Sequence, residues 1–385
     1  MHVASSSTRV ITGSTTLKKM NPSRFGAGRS HSVPVYAGRW DRGFVGSPLE
    51  GVIAGCFVLI TPARTAPLAF PSSFFILAPV SVSVTELTDK LLASYAQVGG
   101  INHLDGKNLP SKSRIAAITV DFLRLLFPGF FDDQQFHSSE LKIETATLVD
   151  SVLDRLLGEV EKSLEYAPPD GVKPGEIAKL ARDETHRLIG ALPGVRELLQ
   201  TDVDAAFNGD PAALSREEVI VSYPFIETIA VQRLAHQLYL NHVPLIPRIM
   251  TEWAHSRTGM DLHPGAQIGT HFFIDHGTGT VIGESSVIGN HVKMYQCVSL
   301  IGRSLAGGQA LRGKRRHPTI EDHVTLYAGA TIMGGDTVVG AHSTVGANVF
   351  LTHSVPPHSL VISEELKVKV MDKLAHKAST VDFQI

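Results

Sequence analysis

The sequence predicts an α+β fold in which a helical amino-terminal region feeds a parallel β-helix built of six-residue repeats. Three observations carry that reading. Apolar residues recur at helical spacing from about Val84 to Thr258. After Gly259 that spacing disappears and an apolar period of six takes over. A glycine often follows the repeated apolar position, as at Gly269, Gly283, Gly289, Gly340 and Gly346.

The repeat comes first, because a fixed short period decides the architecture. One register runs Leu262, Ile268, Ile274, Thr280, Ser286, Val292 and Val298, and a second, two places on, holds Ile282, Ile288, Met294 and Leu300. The period resumes at Ile320, Leu326 and Ile332, then slips by one residue to Val339, Val345 and Leu351. Three such hexapeptides make one triangular turn, with aliphatic side chains inward and glycine relieving the bend. A single turn cannot bury its apolar face; stacked turns can. Residues Arg303–Arg316 interrupt the period and hold Gly307, Gly308 and Gly313, so they read as a loop thrown out from the coil.

The helical region divides by its own signals. Ser139–Glu165 places Leu141, Leu148, Val152, Leu156 and Val160 near helical spacing and ends at Pro168–Pro169. A second helix spans Glu176–Ile189 and is expected to stop at Gly190. Ser215-Arg216-Glu217-Glu218 has the form of a capping box. Pro224 opens a helix carrying Ile226, Ile229, Leu234 and Leu238 on one face, and Pro247–Thr258 forms another with Gly259 as its cap.

Residues 1–80 differ in kind. The first 40 contain Lys and Arg among Ser, Thr and Gly but no Asp or Glu, a bias of organelle transit peptides and also of an upstream segment read from a misassigned start. The apolar stretches Gly51–Thr61 and Ala66–Val82 are too short or too broken for the roughly 20 residues of a membrane span. The expected organisation is a disordered or targeting segment at 1–80, a helical domain at 81–258, the β-helix at 259–358, and a closing helix with a mobile tail at 359–385. The net charge of −2 argues against nucleic acid or an anionic membrane as partner. Two distant cysteines exclude a disulfide framework and a Cys-rich zinc site.

Specific motifs lie on this frame. Asp261-Leu262-His263-Pro264-Gly265-Ala266, Ile274-Asp275-His276-Gly277-Thr278-Gly279 and Val281-Ile282-Gly283-Glu284 are followed by Lys314-Arg315-Arg316-His317-Pro318 and by Ser354-Val355-Pro356-Pro357-His358. Together with the approach segment Tyr223-Pro224-Phe225 through Pro244-Leu245-Ile246-Pro247-Arg248, they resemble the serine acetyltransferases, closely over about 200–358 and loosely over 84–200. The resemblance implies a left-handed coil and transfer of an acetyl group from acetyl-CoA to L-serine, the first step of cysteine biosynthesis.

The chemistry agrees. A serine hydroxyl attacking a thioester needs a base near neutral pKa, and histidine is the usual choice, best held by a carboxylate. His276 and Asp261 lie fifteen residues apart, near the roughly eighteen of a full coil; the resemblance makes His276 the base and Asp261 its orienting partner. It also implies that Asp210 and Asp275 take the substrate ammonium and that Arg316 and His317 take its carboxylate. Gly302, Ala328 and Ala347 match positions lining coenzyme A, and no metal is implied. A trimer or dimer of trimers and a cytoplasmic location follow from the family, with organelle targeting by residues 1–80 as the alternative.

Other readings compete. A γ-class carbonic anhydrase shares the coil and would use histidines such as His263, His271, His276, His291, His317, His323 or His342 on zinc. Another hexapeptide acyltransferase would act on a sugar or small hydroxyl acceptor, and a non-catalytic scaffold would use the coil only for assembly. Asp210 and the helical region favour serine.

The tail Asp382-Phe383-Gln384-Ile385 ends in an aliphatic residue with a free carboxylate. The resemblance implies insertion of Ile385 into O-acetylserine sulfhydrylase, whose site accepts an amino-acid carboxylate. A synthetic peptide ending in Ile385 is expected to bind that enzyme in a fluorescence titration, and one lacking Ile385 is not. Equal binding by both peptides would refute the assignment.

Overall fold

The computed structural model describes residues 83–364, apart from 133, 134, 136 and 305. The expectations for residues 1–80 and for the tail beyond residue 364 fall outside these. Seven α-helices precede the coil: α1 Val84–Gln97, α2 Lys112–Leu126, α3 Leu141–Tyr166, α4 Ile177–Gly209, α5 Arg216–Ser222, α6 Pro224–Leu240 and α7 Ile246–Thr258.

Local signals explain most of their ends. The Ser215 hydroxyl accepts from Glu218 N–H at 3.1 Å, while the Glu218 carboxylate reaches Leu214 N–H rather than that of Ser215. Pro224 sits in the first turn of α6, and Gly259 ends α7 at φ 71°. The expected stop at Gly190 is wrong: α4 continues through Gly190 and Pro193 to Gly209. Pro193 removes one backbone bond, but Leu188, Leu192, Val195, Leu199 and Val203 keep one buried stripe across it. Each such side chain contributes about 1.5–3 kcal/mol, enough to outweigh a glycine and a missing donor.

The coil has three faces of parallel two- and three-residue strands. The first stacks β1 Asp261–Leu262, β4 Val281–Ile282, β7 Ser299–Ile301, β10 Thr331–Met333 and β13 Phe350–Leu351. The second stacks β2 Gln267–Ile268, β5 Val287–Ile288, β8 Thr319–Ile320 and β11 Val338–Val339. The third stacks β3 Phe273–Ile274, β6 Lys293–Met294, β9 Thr325–Leu326, β12 Thr344–Val345 and β14 Leu360–Val361. Neighbours pair in register, Leu262 beside Ile282 and Ile282 beside Leu300. Both apolar registers read from the sequence are interior: one supplies strand residues such as Ile282, the other corner residues such as Val298.

Helices and coil share a single hydrophobic core. Within it lies an ion pair. Arg233 of α6 donates to both carboxylate oxygens of Asp202 on α4, at 2.7 and 2.9 Å, and to the carbonyls of Ile268 and Gly269. Asp202 also accepts from Phe272 N–H at 3.1 Å, so one fork joins two helices to the first turn of the coil.

Removing one partner of a buried pair strands the other as an uncompensated charge, at about 3–5 kcal/mol. Arg233→Ala is expected to lose that much in urea unfolding. Arg233→Met combined with Asp202→Leu should lose clearly less than the sum of the single substitutions; strict additivity would deny the coupling.

Candidate active site

The candidate residues gather at two different corners of the triangle. The third face turns into the first through Asp275-His276-Gly277-Thr278-Gly279-Thr280, where Ile274 and Ile282 are eight residues apart instead of six. The two extra residues push the corner outward. His276 adopts φ 60° and exposes 72% of its side chain, with Nδ1 3.7 Å from Asp275 Oδ1. Gly277 follows at φ 72°, and a Cβ there would meet Met260 Sδ at 2.4 Å, so only glycine lets the corner sit down on α7's exit.

Asp210 ends α4 beside this corner. Tyr223 Oη donates to one of its oxygens and Ala212 N–H donates to the other at 2.8 Å. The Tyr223 hydrogen bond, then that of Ala212, holds the Asp210 carboxyl below its ordinary range, and the same bond pushes the Tyr223 phenol up to about 12. Asp210, Tyr223, Asp275 and His276 line one cavity of about 320 Å³. Lys293, which sequence reasoning missed, ties its walls: Nζ donates to Gly209 O at 2.6 Å and lies 3.7 Å from Asp275 Oδ2. Its position on β6, paired with Phe273 next to Asp275, was the available signal.

Asp261 and His276 share no hydrogen bond or ion pair among the described residues of one chain. Asp261 instead faces α7, with Oδ1 3.7 Å from Arg248 Nη2 and its ligand atoms within 4.8 Å of those of Glu252 and His255. The two stay on adjacent turns at the same end of the first face, where Gly279 N–H donates to Gly259 O.

The first face turns into the second at the other corner, where the loop leaves after β7 and returns at Arg316-His317-Pro318. Arg316 pairs with Glu284, which also accepts from Tyr239 Oη at 2.8 Å. Arg316 Nη1 is buried without a hydrogen-bond partner among the described residues. His317 is 7% exposed, and its Nδ1 faces Ser285 N–H at 3.0 Å. Accepting there places the ring proton on Nε2, which lies over Gly283. Burial, then the Arg316 guanidinium, pushes His317 down to about 4, so the ring is neutral at physiological pH. Gly283 is required below it, since a Cβ would lie 2.1 Å from the imidazole.

Of the coenzyme candidates, Gly302 follows β7 at this second corner, whereas Ala328 and Ala347 lie at the His276 corner, with Asn348 N–H bonded to Ala328 O. One face separates the corners, roughly 15 Å for five extended residues. The seven histidines weighed as zinc ligands are dispersed: His276 on one corner, His263 and His317 on the next, and His271, His291, His323 and His342 on the third.

A left-handed parallel β-helix of six-residue repeats, with an exposed imidazole beside carboxylates at one corner and a basic corner on the same coil, belongs to the hexapeptide-repeat transferases. No family model matches the chain. The plasmid-borne serine acetyltransferase of Synechococcus elongatus is 41% identical over 267 residues, 67% of this chain and 83% of that protein. The serine acetyltransferase of Bacillus subtilis is 40% identical over 175 residues, 46% of this chain and 77% of its own length. The solved serine acetyltransferase isoform 3 of Entamoeba histolytica, in complex with cysteine, superposes with a TM-score of 0.58 at 32% identity, over 76% of this chain and 97% of that one. The chain belongs to the serine acetyltransferases, and its activity is acetyl transfer to serine, in a family that uses acetyl-CoA. This displaces the carbonic anhydrase, sugar acetyltransferase and scaffold readings. No described helix is long and apolar enough to cross a membrane.

Two buried rings give a pH signature. Burial, then Arg248, lowers His263 to about 4, matching His317. Between about pH 6.5 and 4 the unfolded chain binds these protons and the native one does not, so stability is lost as pH decreases through that window. The expected loss is about 1–2 kcal/mol per ring after screening. A smaller drop in melting temperature from pH 7 to pH 5 in His317→Gln than in the wild type checks it; an unchanged drop would contradict it.

Proposed function

We propose that the complete active site forms between subunits, with the His276 corner of one chain meeting the Arg316 corner of the next. One observation carries this reading: the groups at each corner match one end of a zwitterion, while the opposite charges there, Lys293 and Glu284, are already engaged within the chain. Asp210 and Asp275 offer carboxylates to an ammonium, and Arg316, with its unpartnered Nη1, offers a fork to a carboxylate. A flat face lying between the two corners suits packing around a threefold axis, giving a trimer or a dimer of trimers.

In that site His276 removes the proton of the serine hydroxyl as its oxygen attacks the thioester carbonyl carbon of acetyl-CoA. The tetrahedral intermediate collapses, the C–S bond breaks, and the leaving thiolate takes the proton from the imidazolium. Asp261 orients His276 once the exposed ring turns toward the first face, Asp210 and Asp275 hold the ammonium, and Arg316 with His317 Nε2–H holds the carboxylate. Gly302 of one chain and Ala328 and Ala347 of its neighbour line the coenzyme A groove, which accounts for their division between two corners. Cysteine, as in the Entamoeba complex, presents the same ammonium and carboxylate and would compete with serine. The Ile385 carboxylate remains the proposed handle for the sulfhydrylase.

His276→Ala is expected to lower kcat by about 10²–10⁴ with fold and assembly intact, and Asp261→Asn by less. Arg316→Ala is expected to be defective as well. Mixed His276→Ala and Arg316→Ala subunits, refolded together, should regain about a quarter of wild-type sites. A mixture no more active than its parents would place both halves in one chain and overturn the proposal.

A further inference from the structure

The third corner of the coil, where the second face turns into the third, carries a feature the acetyl transfer does not use. In five successive turns the third residue after the inward aliphatic is histidine: His271, His291, His323, His342 and His358. All five adopt positive φ, between 55° and 61°. Their rings form one stack, with successive centroids 4.1, 4.6, 4.7 and 5.0 Å apart and planes within 20°, 3°, 6° and 2° of parallel.

The backbone sets this spacing. His291 N–H donates to Thr270 O, His323 to Asn290 O, His342 to Asp322 O and His358 to Ala341 O, each at 2.8–2.9 Å. Geometry alone does not call for histidine. The equivalent left-handed position at the His276 corner is occupied by Gly279, Cys297, Gly329 and Asn348. A left-handed corner tolerates Gly and Asn at least as well as His.

The ring edges are open. His291, His323, His342 and His358 are exposed, and their side-chain nitrogens have no hydrogen-bond partner among the described residues. His271 Nδ1 lies 3.1 Å from Thr270 Oγ1, which leaves its Nε2 outward. Neutral imidazole is the commonest protein ligand for zinc, nickel and copper. Burial, then the neighbouring His271 and His323 rings, lowers His291 below the usual imidazole range, toward the neutral, ligating form. Two nitrogens on one ion at about 2.0–2.1 Å bond length sit roughly 3.3 Å apart, with the ion in the plane of each ring, so two neighbouring exposed rings reach a shared ion by rotating out of the parallel stack toward each other.

We infer that this histidine ladder binds divalent transition-metal ions, each bridged by imidazoles of neighbouring rungs with water completing the coordination. The corner carries none of the candidate catalytic residues, so this site is independent of acetyl transfer and of the intersubunit reading.

The test is isothermal titration of the tag-free full-length protein with zinc chloride and with nickel chloride at pH 7.5. Saturable uptake of one or two ions per chain is expected, with loss at pH 5 as the rings protonate. His291→Asn with His323→Asn should weaken binding at least tenfold while leaving metal-free acetyltransferase activity unchanged, because Asn accepts the same backbone conformation. His342→Asn with His358→Asn provides a second removal should the first variant fold poorly. No saturable uptake by the wild type would overturn the inference. So would undiminished uptake in the ladder variants, which would move the ion to another cluster such as Glu252, His255 and Asp261.

Discussion

The buried fork between Arg233 and Asp202 is the contact on which the positions of the other parts depend. Two charges removed from water are tolerable only if each lone pair and donor is answered, and here the carbonyls of Ile268 and Gly269 and the N–H of Phe272 supply the answers. Those three residues belong to the first turn of the coil, so helix placement and coil placement are a single requirement. Thr201, beside Asp202, adds a bond from His271 N–H to its hydroxyl at 2.9 Å. From Asp202 to Asp210 is eight residues of α4, about 12 Å of rigid helix. The carboxylate that faces Asp275 is therefore aimed by a contact buried two turns away.

The coil adds a second constraint through its regularity. Parallel strands of two residues repeat so strictly that extra residues must leave at a corner. The extensions at Ile274–Ile282 and between Leu300 and Ile320 build the two corners that carry the candidate site residues. The first lifts His276 into an exposed left-handed position, and the second lets Arg316 and His317 return against Glu284 and Ser285. The candidate catalytic and substrate residues sit where the repeat is broken, while the unbroken third corner accumulates the histidine stack.

Electrostatics separates histidines that look alike in sequence. His317 is buried beside a guanidinium and is kept neutral, a hydrogen-bond donor through Nε2. His276 is largely open, with carboxylates beside it. His291 on the ladder is lowered by burial first and then by the His271 and His323 rings on either side. Lys293 escaped a motif-based reading and Tyr223 entered it only within a matched segment, because their contacts are spatial: one bridges Gly209 to Asp275, the other supports Asp210 across thirteen residues.

By itself the sequence determined the class of fold, the interior registers and the family, and it singled out the candidate site residues. These follow from short-range periodicity and from motifs whose members are near neighbours in the chain. The tertiary structure decided that α4 runs past Gly190 and Pro193, because packing along its buried stripe outweighs local helix-breaking tendencies. It decided that Asp261 faces Arg248 within one chain and that Asp210 and Asp275 occupy a different corner from Arg316. It also turned five scattered histidines into one stack. A period of six names the coil, but only the closed triangle says which residues share a corner, since the loop and the inserted residues change their separation in sequence without changing their place in space.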